Sequence, residues 1–466
     1  MKKIILSIIF CGLWIECFSQ LKSQTSEIFE LSSIVFRLAG AEEFMNNAIP
    51  EYTKDIDLYF APYASHDLIT YIKEIREKNG IAYDAVMNAA ACMTIEHGQV
   101  KVKPNFNVFD IVKVDPRWTT DTYTKYVNRL NDFYKTSRFN SFYNSHKRLY
   151  KVATQRLDKV LSMVNVKWFE SFFGKKLDEP LVIASLSNGG ANYGLGVLSD
   201  CIKPGIVIGC RADRKGLPQY SLNSALLLVV HELSHCFSNK LLLDAWDEKF
   251  EPAVMKIYSN VEERMSKRGY GDPGIMLMEW FNNLCELMYY RENPSKYINV
   301  NGQTGLYQYR GFIWMERSVD FMDEFYENRE TYVTIKEYIP RLLAFIDETA
   351  AGFDKIIEED ILKIPRIIET SPVSGAILNS DRLVMRFSVP MCTKAYGYKK
   401  VQDSDALAVP IKREYWQDST NFVIEINTKK LQKNKKYGIQ LSRQFYQSEI
   451  TYPLAENYNF YFYTPE

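Results

Sequence analysis

The stretch from Ser221 to Asp244, SLNSALLLVVHELSHCFSNKLLLD, constrains this chain more than any other. Its pattern predicts one buried helix, with Ser221 or Asn223 as N-cap and an apolar run from Ala225 to Val230. Within it, HELSH sets His231 and His235 four residues apart. On a helix that spacing stacks two imidazoles on one face, a turn apart, where both can hold one metal ion. Glu232 lies about 100° round the helix from His231, close enough to reach a water on that ion without ligating it. Two histidines and a glutamate base form the zincin arrangement. The plain alternative is a core helix that happens to carry two satisfied histidines. Against it, the chain has only five histidines, and two of them fall in the motif. A carboxylate in so apolar a helix also needs a partner to offset its desolvation. The scattered His66, His97 and His146 read as structural or surface residues.

A third ligand must come from elsewhere. Ser238 and Leu241 stand where the metzincin pattern HExxHxxGxxH requires glycine and histidine. The short spacing of familiar gluzincins would land near Val254 or Met255, which cannot ligate. The next candidate helix runs from Gly274 to Glu292, opening after Pro273 and stopping at Asn293-Pro294. Its polar stripe is Glu279, Asn282 or Asn283, Glu286 and Tyr290. Glu279 and Glu286 are seven apart and share a face, and one of them is the expected ligand. Glu279 has the more apolar neighbours, Met278, Trp280 and Phe281, where a carboxylate without a metal is costly. The competing reading is a solvated stripe on a surface helix.

Just upstream, Leu181 to Leu186 and Gly205 to Cys210 read as strands, joined through a Gly-rich turn, Ser187 to Gly196. That turn lacks both the Gly-Lys-Ser/Thr end of a Walker loop and GxGxxG spacing, so no phosphate loop is expected. In zincins a sheet edge in this position pairs with extended substrate. Further upstream, His66 to Arg76 has helical spacing, with Leu68, Ile69, Ile72 and Ile75 on one side. Residues 145–175 read as one long helix burying Leu149, Val152, Leu157, Val160 and Leu161. Lys336 to Ile346 and Phe353 to Ile364 read as helical, with an interruption at Pro340.

Residues 1–19 have the form of a signal peptide. Lys2 and Lys3 are followed by an apolar run from Ile4 to Ile15 and a Cys17-Phe-Ser19 cleavage site. Acylation at Cys17 fits less well, because Trp14-Ile-Glu16 is a poor lipobox. No later run approaches the roughly 20 apolar residues of a membrane helix. With Lys+Arg and Asp+Glu balanced at 57 each, the chain lacks the basic excess of a nucleic-acid binder. The later cysteines, from Cys92 to Cys392, show no framework spacing and no CxxC, so buried free thiols are expected for most of them.

After Pro365 the pattern switches to short strands: 366–370, 383–387, 422–426, 437–441 and 458–463, separated by turn residues as in a β-sandwich.

HELSHCFSN, the upstream GGANYG, the LMEWFNN helix and residues 60–86 resemble a family of exported metallopeptidase-like proteins of Bacteroidota that carries a domain of unknown function. The resemblance covers roughly residues 25–350. It implies metal ligands His231, His235 and Glu279, with Glu232 catalytic. The chain departs from that family's pattern at Asn283, where an arginine is expected. Residues 365–466 resemble the bacterial Ig-like domain of S-layer proteins, which carries no chemistry.

The combined expectation is an α+β chain with three parts: signal peptide 1–19, zincin-like metallopeptidase domain 20–364 and Ig-like β-sandwich 365–466. Zn2+ would sit on His231, His235 and Glu279, and Glu232 would serve as base. The partner would be a protein or peptide substrate, without nucleic acid and without a membrane span in the mature chain. The location would be outside the cytoplasm: periplasm, cell surface or secreted. Two alternatives stand beside it: a metal-dependent hydrolase of a non-peptide substrate, and a non-catalytic surface binding or scaffold protein with a degenerate zincin fold.

Overall fold

The computed structural model describes residues 21–177, 180–188, 191–195, 205–246 and 250–466. The expected signal peptide, Gly189, Gly190, Gly196 and Cys201 lie outside them. The protein is α+β, with several small sheets. It divides into two compact units, one of residues 1–170 and 175–233, the other of 171–174 and 234–466.

In the first unit the order is β1 (Ser23–Gln24), α1 (Glu27–Leu38), α2 (Pro50–Phe60), α3 (Asp67–Asn79), α4 (Asp84–Ala91), β2 (Met93–Glu96), β3 (Gln99–Val102) and α5 (Ile111–Val114). Then come α6 (Thr120–Thr136), α7 (Phe139–Ser145), α8 (Lys147–Leu161), α9 (Val166–Phe173), β4 (Leu181–Ser185), β5 (Asn192–Leu195), β6 (Gly205–Gly209), β7 (Arg211–Ala212) and β8 (Pro218–Gln219). α10 (Leu222–Ala245) follows as one continuous helix, and the division between the units falls within it.

The sheet that positions the site has the order β1-β4-β6-β5. β1, β4 and β6 run parallel, and β5 closes the edge antiparallel to β6, with Asn192 opposite Ile208 and Leu195 opposite Gly205. Val182, Ile183, Ile206, Val207 and Ile208 are buried, as expected of strands covered on both faces. The aromatic excess, 31 Tyr and 27 Phe, has one destination here. Phe60 stacks on Phe133 and Phe139 at 5.9 and 5.6 Å, and all three are buried.

Several local expectations hold. α3 buries Leu68, Ile69, Ile72 and Ile75, and His66 caps it by accepting from the Leu68 N–H. His146 meets Asp55 at 3.1 Å, and His97 takes a positive φ in the β2–β3 turn. Among the described residues Cys92, Cys210 and Cys285 are buried, and Cys236 and Cys392 are half-buried.

Two expectations need correction. Residues 145–175 are two helices, because the chain turns at Ser162 to Asn165, where the Ser162 N–H closes α8 on Asp158 O. Leu149 and Val152 are only half-buried, and Tyr150 and Ala153 take the inner positions. The Gly-rich segment is also more than a turn: Asn192–Leu195 is strand β5.

The second unit continues with α11 (Glu251–Ser266), α12 (Pro273–Glu292), α13 (Val300–Arg310), α14 (Met315–Glu327), α15 (Ile335–Ala351) and α16 (Phe353–Lys363). Asp272 caps α12 by accepting from the Ile275 N–H at 3.0 Å. Trp280 is buried, donates to Ser318 Oγ at 2.9 Å and stacks on Phe345. α15 continues past Pro340, its sixth residue, where the sequence pattern predicts an interruption; the proline gives up one helical hydrogen bond there.

The same unit holds β9 (Ile367–Ser371), β10 (Arg382–Phe387), β11 (Tyr398–Lys399), β12 (Leu407–Ala408), β13 (Ile411–Trp416), β14 (Asn421–Ile426), β15 (Lys436–Leu441) and β16 (Tyr458–Tyr463). One sheet is β13-β14-β10-β9, and the other joins β11, β15, β12 and β16. Both feed one core: Leu383, Met385, Phe422 and Ile424 from the first sheet meet Ile439, Leu441, Phe460 and Phe462 from the second. β13 eludes the sequence pattern because Lys412, Arg413 and Glu414 break its alternation at a sheet edge.

Candidate metal centre

α10 carries the motif for reasons of packing. Val229, Val230, Leu233 and Phe237 are buried, while His231, Glu232 and His235 share the half-buried side. Farther along, Ser238 donates to Asn282 Oδ1 at 2.9 Å, and both residues are fully buried. That bond joins α10 to α12 and sets Glu279 against His235.

His235 Nε2 and Glu279 Oε1 stand 3.4 Å apart. Two donors about 2.1 Å from a tetrahedral ion would be separated by about 3.4 Å. His231 completes the group from the preceding turn: one ligand atom each of His231, His235 and Glu279 lie within 4.8 Å of one another. Two imidazoles and one carboxylate form a catalytic zinc donor set that leaves a fourth position for water or substrate. The residues therefore fit zinc. His235 Nδ1 meets Asn239 Oδ1 at 3.0 Å. When Asn239 accepts from Nδ1–H, the Nε2 lone pair is left facing Glu279, the outer support typical of metal-bound histidine.

The polar stripe of α12 is not solvated. Asn282, Asn283, Glu286 and Tyr290 are all buried, and Glu279 is half-buried. Glu286 is not in the cluster; two turns on, it lies beside Tyr307 of α13. Burial first, and then the Glu286 carboxylate, push the Tyr307 hydroxyl's pKa well up.

Glu232 faces the sheet edge. On β5, Asn192 and Gly194 share the accessible face, while Tyr193 and Leu195 are buried. Gly194 is so near Glu232 that a Cβ built on it would overlap Oε2. Glycine inside a strand often marks such a close approach. Next to this point is a cavity of about 470 Å³ lined by Asn192, Leu228, Arg211 and Ser224 among others. Leu228 is one turn before Glu232 on α10, and Asn192 is two residues before Gly194 on β5. Arg211 is the one charged side chain among the described residues lining this cavity.

Asn239, Gly194 and the Ser238–Asn282 bond carry no role in the motif as read from the chain. Asn239 was within reach, since it follows His235 by four residues on the same helical face.

No curated protein matches the chain. Among solved structures it is similar to surface layer protein SbsC, domains 1–6, at 10% identity, covering 52% of this chain and 34% of that one, with a TM-score of 0.18. It is also similar to the S-layer protein rSbsC(31-844), at 10% identity over 86% of this chain and 46% of that one, again with a TM-score of 0.18. The chain thus spans less than half the length of either, and likeness at that score carries no argument about fold. Among the described residues no helix is long and apolar enough to cross a membrane. Residues 15–345, well over half of the chain, match the family model described as "Domain of unknown function (DUF4932)", and the chain belongs to that family.

Proposed function

We propose that the protein is an exported zinc metallopeptidase of zincin type, with an Ig-like β-sandwich formed by residues 365–466. The observation that carries this reading is the convergence of His231, His235 and Glu279, with Glu232 on the same helix against the β5 edge. Support for the sandwich is the single core shared by the two C-terminal sheets.

Zinc, when bound, supplies a Lewis acid that brings the pKa of water down to about 7. His231, His235 and Glu279 would hold it, with Asn239 orienting His235. Glu232 takes the proton of the attacking water and delivers it to the leaving amine nitrogen, a transfer worth typically about 10²–10⁴ in rate. An extended peptide pairs with the open side of β5, where main-chain hydrogen bonds fix its register. Gly194 keeps that strand close to Glu232. The neighbouring cavity receives the side chain beside the cleaved bond, and Arg211 favours an acidic one.

The test is metal analysis and peptide hydrolysis of the mature protein beside His231→Ala and Glu232→Gln. The expected result is about one zinc per chain in wild type and Glu232→Gln, little in His231→Ala, and hydrolysis in wild type alone. Zinc without hydrolysis of any peptide would point to a non-peptide substrate. A metal-free, inactive wild type would leave a scaffold role.

A further inference from the structure

A second cavity, of about 490 Å³, lies wholly within the second unit and is lined by Arg264, Lys267, Arg268, Arg310, Arg366 and Arg443. The chain as a whole has no net charge, so six cations in one cavity is a local concentration. One explanation is structural: α11, α13 and α16 end here, and cationic side chains near helix C-termini offset the partial negative charge of the last carbonyls.

Counting charges tests that explanation. Lys267 is held by Glu263, and Arg264 by the buried carboxylate of Asp360 at 3.0 Å. Arg268, Arg310, Arg366 and Arg443 have no ion pair among the described residues. Three helix ends supply about half a negative charge each, so roughly two to three positive charges remain. The hydrogen bonds agree. Arg268 donates to Arg310 O at 3.2 Å and Arg366 to Ile361 O at 3.3 Å, both helix-end carbonyls. Arg310 and Arg443 donate from their guanidinium groups to no oxygen among the described residues. Burial first, and then the nearby Arg310 charge, lower the Arg268 pKa, as like charges held together should.

We infer that this cavity binds a ligand bearing phosphate or sulfate groups with two to three negative charges. Five of the six cations are arginines, whose planar forks match tetrahedral oxyanions in bidentate fashion. The half-buried ring of Tyr309, backed edge to face by the buried Tyr452 at 6.0 Å, offers an apolar surface to the carbon part of the ligand. The site is independent of the metal centre and of the peptidase reading.

The experiment is titration calorimetry and thermal unfolding of the full-length protein with pyrophosphate, a sulfated disaccharide and acetate. Wild type should bind one of the first two saturably, with a rise in Tm, and should ignore acetate. Tighter pyrophosphate binding identifies a phosphorylated ligand, and tighter disaccharide binding a sulfated glycan. Arg310→Gln and Arg443→Gln should each weaken binding on the order of tenfold, the loss typical of one charged hydrogen bond. Arg443→Gln should not lower the Tm without ligand, because it relieves repulsion. Arg310→Gln also loses the charge that ends α13, so its ligand-induced rise is measured from its own ligand-free Tm. Pyrophosphate can chelate metal, so the titration is repeated in His231→Ala, where binding should persist. The inference is overturned if neither ligand binds, if acetate binds as well, if binding disappears in His231→Ala, or if the two arginine variants bind like wild type.

Discussion

Four residues around the motif act in separable ways, and their variants should behave differently. Loss of a ligand removes binding energy for the metal, so Glu279→Ala should lower both zinc content and hydrolysis. Glu286→Ala should keep most of its zinc, since Glu286 lies two turns on, beside Tyr307. The reverse pattern by metal analysis would exchange the two glutamates. Asn239→Ala leaves the donor set whole but frees the His235 ring, so zinc affinity measured by chelator competition should fall about 10–100-fold. Gly194→Ala places a Cβ against the Glu232 carboxylate, the mobile end of a side chain, so the fold should survive. The displaced base should cost up to about 10²-fold in kcat with zinc content unchanged. Under the proposed function, hydrolysis by Gly194→Ala equal to wild type would mean that β5 does not constrain Glu232.

Between elements, the decisive contacts in the first unit converge on a buried carboxylate. Glu30 of α1 accepts from the Leu186 N–H at 2.7 Å, from Ser185 Oγ at 2.9 Å and from Tyr52 OH at 2.8 Å. It therefore ties α1 and α2 to the end of β4, just before β5. Burial raises its pKa despite these donors. The folded state thus holds the proton more tightly than the unfolded chain, whose value is near 4.3. Its contribution to stability is complete below that pH and declines as pH rises through the raised folded value. Glu30→Gln should remove that slope. Urea midpoints between about pH 4 and pH 8 check this. A variant whose midpoints track wild type would place the pH dependence elsewhere.

In the whole molecule, the C-terminal strands have their own core yet are bound to the helices of the same unit. Tyr452 donates to Asp360, which also holds Arg264, and Gly305 packs so tightly on the Ile450 carbonyl that a Cβ there would overlap it. Residues 20–364 expressed alone should fold and keep zinc. They should unfold at lower urea than the full chain, because the contacts of Tyr452 with Asp360 and of Ile450 with Gly305 are lost. An insoluble or zinc-free fragment would show that residues 365–466 belong to the same folding unit as the helices before them. Much was legible in the chain itself. Helical periodicity located α3, α10 and α12, and alternation located β10, β14, β15 and β16, because both patterns reflect local backbone geometry. His231, Glu232 and His235 were legible for the same reason, lying within two turns of one helix. Periodicity alone does not choose Glu279 over Glu286, since a seven-residue repeat gives both the same face; the apolar neighbours of Glu279 favour it, and the structure brings it into the cluster. That placement follows from how α12 is set along α10 by Ser238 and Asn282. The approach of Gly194 to Glu232 and the gathering of arginines at three helix ends were illegible, because each joins segments distant in sequence, and only packing sets those distances.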